Sequence, residues 1–152
     1  MKKTAIIISI MVTLVVILSS CLNDDVNSSD LETSNMFKHL IASESNSVTS
    51  PSGQYILEMI TATKDNVYSG SFCIKNEKDK SLLYECGDYY RLRDTTFILW
   101  GEDDTVWVYS GDLGTFYWEN NNETWVKKSY AKNKNKIVVP QALRELRPNH
   151  FN

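Results

Sequence analysis

From Gln54 onward apolar and polar positions alternate with the two-residue period of a half-buried strand. The pattern predicts strands over Tyr55 to Ala62, Ser71 to Asn76, Ser81 to Cys86, Tyr89 to Leu92 and Thr95 to Trp100. It continues over Thr105 to Ser110, Thr115 to Glu119 and Glu123 to Ser129. Between these eight runs stand Asp-, Asn-, Gly- and Lys-rich breaks such as Lys64-Asp65-Asn66 and Asn120-Asn121-Asn122. Short strands with turn signals at this spacing predict an antiparallel meander, which suits a small barrel or a two-sheet sandwich. No helix-length pattern interrupts the series, so a parallel α/β sheet is excluded. The expected class is mainly β, with a short helix at each end.

Twelve of the 17 aromatic residues lie between Tyr84 and Tyr130, including all four tryptophans. Trp100 and Trp107 are separated by six residues, and so are Trp118 and Trp125. A hairpin turning at Asn121-Asn122 sets Trp118 opposite Trp125; Asn tolerates the positive φ that a type I′ turn requires. The same construction about Asp103-Asp104 sets Trp100 opposite Trp107. Such cross-strand pairs stabilise a sheet. The repeat is expected to be structural, with an aromatic platform for a sugar or peptide as the functional alternative.

The flanks read differently. Residues 21–53 are polar, with eight serines and four asparagines after Cys21, and are expected to form a tether. Within it Ser29 stands three residues before Glu32 as a capping box, and Met36, Phe37, Leu40 and Ile41 follow at helical spacing, predicting a short helix over 30–42. The all-β domain then spans 54–139. Residues 140–152 open at Pro140 and predict a short helix with Leu143 and Leu146 on one face. Lys127, Lys128, Lys132, Lys134 and Lys136 precede it. They are expected to make a solvated, aggregation-resistant edge, with attraction to anionic headgroups or wall polymer as the alternative.

Residues 1–20 have the parts of a secretory signal: Lys2 and Lys3, then a 14-residue run from Ala5 to Leu18 broken only by Ser9 and Thr13. Leu18-Ser19-Ser20-Cys21 follows directly. This resembles the lipobox of bacterial lipoproteins, and the resemblance covers residues 1–21 alone. It implies that the Cys21 thiol carries a diacylglycerol, that the signal is cut before it, and that the chain is anchored to the cell membrane facing outside the cytoplasm. Leu22 would permit transfer to an outer membrane in a host that has one. Two or more acyl chains give stable anchoring where one does not.

Composition narrows function without naming it. The whole chain has 16 Lys and Arg against 19 Asp and Glu; loss of Lys2 and Lys3 leaves 14 against 19, a net charge of −5. That balance excludes a general nucleic-acid binder, because no basic excess exists to neutralise phosphates. His39 and His150 are the two histidines, both peripheral, and neither a zinc signature nor a nucleophile elbow occurs. Glu102, Asp103 and Asp104 form one acidic group and Asp112 another, at opposite ends of the Thr105 to Ser110 strand. They are the expected interaction surface. Their order does not match a calcium loop, so neither a metal nor another cofactor is expected. Cys73 and Cys86 face each other if their turn centres on Asp79-Lys80, which allows a disulfide in an exported protein; a turn one residue earlier leaves two buried thiols. The expected function is a non-catalytic binding or envelope-associated module, held to membrane lipid through Cys21 and binding an unknown protein or envelope ligand. An immunity or inhibitor lipoprotein that blocks a toxin or hydrolase is the alternative.

Overall fold

The computed structural model describes residues 35–151. The signal region, Cys21 and the first part of the tether lie outside the described residues. Ten strands occur in order: β1 (Ile41–Ala42), β2 (Val48–Thr49), β3 (Tyr55–Lys64), β4 (Val67–Asn76), β5 (Leu82–Glu85), β6 (Tyr90–Arg91), β7 (Thr96–Trp100), β8 (Val106–Ser110), β9 (Gly114–Asn121) and β10 (Thr124–Ser129). Three short helices follow, α1 (Tyr130–Asn133), α2 (Gln141–Leu146) and α3 (Pro148–Phe151). The eight expected strands are all present. Only the two-residue strands β1 and β2, too short to carry a period, were not signalled by alternation.

The strands form two antiparallel sheets. Sheet I has the order β1-β7-β8-β9-β10, and sheet II the order β2-β3-β4-β5 with β6 also pairing β4. The longest hairpin, β3-β4, turns at Asp65 and Asn66, both at positive φ (52° and 61°) as a type I′ turn demands. One core fills the space between the sheets: Leu57, Phe72, Ile74, Cys86 and Tyr90 meet Ile98, Trp100, Val106, Val108, Trp118 and Trp125. A second core covers the other face of sheet I, where Phe37, Leu99, Trp107, Tyr109 and Tyr117 pack under Tyr130, Val139, Ala142 and Leu143. The architecture is a sandwich with a helical third layer, each layer burying one apolar face.

Several local expectations are corrected. The helix over 30–42 does not reach its expected end: Asn35 and Met36 are helical, but Phe37 to Leu40 turn and Ile41–Ala42 pair with β7 as strand. At the C-terminus the helix ends at Leu146 and a further helical turn starts at Pro148; Leu143 is fully buried while Leu146 is only partly so.

The tryptophan pairings differ as well. The β9-β10 turn sits at Asn122 and Glu123 (φ 50° and 66°), so Trp118 faces Lys127 and Trp125 faces Asn120. The two indoles share a face diagonally. This lets each meet sheet II: Trp118 packs edge-on against Phe72 at 4.9 Å and Trp125 against Tyr55 at 5.4 Å between ring centroids. Trp100 faces Val106 and Trp107 faces Leu99. Gly101 N–H donates to Thr105 O, and Asp104 has φ 60°, which leaves a loop of three residues in place of the turn centred on Asp103-Asp104. An odd loop shifts the register by one residue and turns every side chain to the other face, so Trp100 enters the inter-sheet core and Trp107 the helical one.

The cysteines obey the same rule. Cys73 pairs with Glu85, whereas Cys86 N–H donates to Phe72 O. Cys86 lies in the inter-sheet core with Phe72 and Ile74, and Cys73, between those two on β4, points to the opposite face. Both are free buried thiols, not a disulfide. Burial raises the pKa of each; for Cys73 the Glu58 carboxylate raises it further. Both thiols are therefore protonated and poorly nucleophilic at neutral pH.

Candidate binding cleft

The four acids singled out from the sequence have separate positions and mostly structural partners. Glu102 accepts the Gln141 N–H at 2.8 Å and so holds the start of α2. Asp103 accepts the Thr105 hydroxyl at 2.6 Å, and that hydroxyl accepts the Trp107 indole N–H at 2.7 Å. Asp104 accepts the Ser52 N–H at 2.9 Å, tying the β7-β8 loop to the turn before β3. These three carboxylates are committed to holding loops and a helix end. Asp112 lies at the other end of β8, as expected, in the β8-β9 turn, and is the one acid of the four that borders a different cleft.

That cleft opens between the β3-β4 hairpin, β6 and the β8-β9 turn, with a volume of about 660 Å³. Val67, Tyr89 and Leu113 give it apolar surface; Lys64, Arg91 and Asp112 give it charge. Tyr89 is 46% and Leu113 56% exposed, large for residues of their type. Asp112 is oriented by the Ser110 hydroxyl, which donates to one carboxylate oxygen. Arg91 Nε stands 3.9 Å from the other oxygen, a loose and half-exposed pair of small energetic weight. Gly114, with φ 92°, closes the turn that presents Leu113. Arg91 also borders a smaller hollow of about 280 Å³ with Tyr68 and Arg93. A guanidinium fork beside exposed aromatic and aliphatic surface can hold a carboxylate next to an apolar group.

Two hollows at the opposite end of the sandwich surround Tyr55. One, of about 470 Å³, includes Asp103, Asp104 and Glu119; the other, of about 620 Å³, includes Leu82, Leu83 and Trp125. Tyr55 OH accepts from Asn120 at 3.1 Å, and Trp125 is almost entirely covered, so the Trp125 ring offers no open stacking face. Among the described residues no group of three His, Cys, Asp or Glu side chains is placed to hold a metal ion. His150 stacks edge-on against Tyr109 at 5.2 Å.

Tyr89, Arg91 and Leu113 were not singled out by sequence. Two signals pointed to them: Leu113 is an apolar residue within a Gly-Asp-Leu-Gly turn, and Tyr89-Tyr90 is an aromatic doublet, of which alternation can bury only one. No family model matches the chain, and no curated protein or solved structure shows significant similarity to it.

Proposed function

We propose that the protein is a lipid-anchored, extracytoplasmic binding module that holds a partner in the cleft beside Arg91 without turning it over. The observation that carries the binding reading is the cleft itself: exposed Tyr89 and Leu113 flank the Arg91–Asp112 pair on rigid turns of two sheets. Exposed apolar surface around a charge pair marks an interaction site more often than scattered single residues do. The lipid anchor is supported by the Leu18-Ser19-Ser20-Cys21 pattern. The buried groups whose pKa is raised, Cys73, Cys86, Tyr90 and Tyr117, do not line the cleft, which supports binding over catalysis there.

Two experiments test the reading. Labelled palmitate should enter the wild-type protein and not Cys21→Ser; equal labelling refutes the anchor. Partners captured from the producing organism by the wild-type chain should be lost with Leu113→Asp and with Arg91→Ala, and kept with Glu123→Gln at the opposite end. Capture that survives both cleft variants refutes the site. Turnover of the captured partner, abolished by Asp112→Asn, refutes the non-catalytic reading. Inhibition of a captured hydrolase or toxin favours the inhibitor alternative.

A further inference from the structure

Charge is segregated along this chain. Residues 127–152 carry seven Lys and Arg against one acid, Glu145, whereas residues 21–126 carry seven against 18. The structure separates the five lysines among them into two groups. Lys127 and Lys128 are committed: Lys127 reaches Asp88 at 2.7 Å across the sandwich edge and lies 4.0 Å from the centroid of Phe116, and Lys128 pairs with Glu119. Both remain partly solvated on the edge strand β10, but each has an ionic partner. Lys132, Lys134 and Lys136 are exposed and take part in no ion pair among the described residues. They stand in α1 and the segment after it, beside Val138, which is 82% exposed. Glu102, the acid that reaches this layer from sheet I, is occupied at the start of α2.

The chain enters the domain in the same layer. Phe37 is buried in the helical core with Tyr130, Val139 and Leu143, and Met36 beside it is 67% exposed. Thirteen residues stand between Cys21 and Asn35, so the fourteen steps that join them reach at most about 50 Å.

We propose that the helical layer is the face by which this domain rests on an anionic lipid bilayer, with Lys132, Lys134 and Lys136 against the headgroups and Val138 dipping among them. Three unpaired lysines add attraction to such a surface, and a neighbouring apolar side chain adds partition into the interface. The acidic remainder of the domain is repelled, which fixes the orientation. The proposal takes the position of the tether from the lipid-anchor reading, so its test uses a chain without lipid.

The chain 21–152 carrying Cys21→Ser is sedimented with phosphatidylcholine vesicles, with and without phosphatidylglycerol, at low and high salt. The expected result is binding to the anionic vesicles alone, lost at high salt. Each lysine removed should weaken it about fivefold, so Lys132→Gln, Lys134→Gln and Lys136→Gln together should weaken it about 100-fold. Val138→Ser should weaken it less, and Lys78→Gln with Lys80→Gln not at all. Unchanged tryptophan fluorescence shows that the variants are folded. No binding to anionic vesicles, equal binding to neutral ones, or unchanged binding of the triple variant overturns the proposal. So does retention on a soluble polyglycerol phosphate without retention on vesicles, which would favour a wall polymer. Failure of palmitate labelling with vesicle binding intact removes the anchor and leaves this surface standing.

Discussion

Replacing Thr105 by valine isolates a single interaction chain in the β7-β8 hairpin. Trp107 is 1% exposed, and its indole N–H has the Thr105 hydroxyl as acceptor at 2.7 Å. Valine keeps the shape and the β-branch of threonine but accepts nothing. The orphaned buried donor costs about 1–3 kcal/mol. The hydroxyl's own bond to Asp103 is lost too, but Asp103 is exposed and returns to water, which adds about 0.5 kcal/mol. The expected destabilisation is therefore about 2 kcal/mol, or a fall in Tm of roughly 5–8 °C for a domain of this size. Urea unfolding followed by tryptophan fluorescence measures it, with an unchanged m-value showing that the denatured state is the same. Thr105→Ser, which keeps the hydroxyl, should recover most of the loss. A Thr105→Val variant within 0.5 kcal/mol of wild type would show that the indole N–H does not depend on this hydroxyl, and the structural role given to Asp103 would fall with it.

Gly101→Ala should destabilise more than a surface substitution, because its Cβ would sit 2.5 Å from the Thr105 Oγ1 and 3.0 Å from the Trp107 Nε1 of the same chain; a stability equal to wild type would contradict this packing. Cys73 and Cys86 should react slowly with a thiol reagent in the folded protein and rapidly in denaturant; a mass two hydrogens low in non-reducing conditions would contradict the free thiols. Trp118→Ala should cost about 3–5 kcal/mol, since the ring is fully buried between the sheets and its N–H donates to Tyr84 OH at 2.9 Å. The Ser81 hydroxyl and N–H hold the Asp79 carboxyl below its ordinary pKa. A depressed folded pKa contributes stability above the unfolded value, about 4, that is lost as pH falls through the folded one. Asp79→Asn should therefore flatten the acid limb of the stability profile, and an identical limb would contradict the assignment.

The β class and all eight principal strands were legible in the amino-acid order, because alternation and turn preference are local properties of a few neighbouring residues. The segregation of charge toward the C-terminus is likewise read without any fold. Which face each tryptophan took depended on long-range packing. One residue more or less in the β7-β8 loop sends Trp107 to the helices or to the other sheet, and loop length is set by the joint fit of both cores, not by Asp103-Asp104 alone. For the same reason Cys73 and Cys86 part to opposite faces. The cleft was legible only as fragments, a leucine in a turn and a tyrosine doublet, since Lys64, Arg91 and Asp112 meet across two sheets from positions up to 48 residues apart. The lysine run looked uniform in sequence; contacts with Asp88, Phe116 and Glu119 gave two of the five an ionic partner and left Lys132, Lys134 and Lys136 without one among the described residues. Such divisions depend on long-range contacts between elements, and these exist only after the sheets have closed on one another.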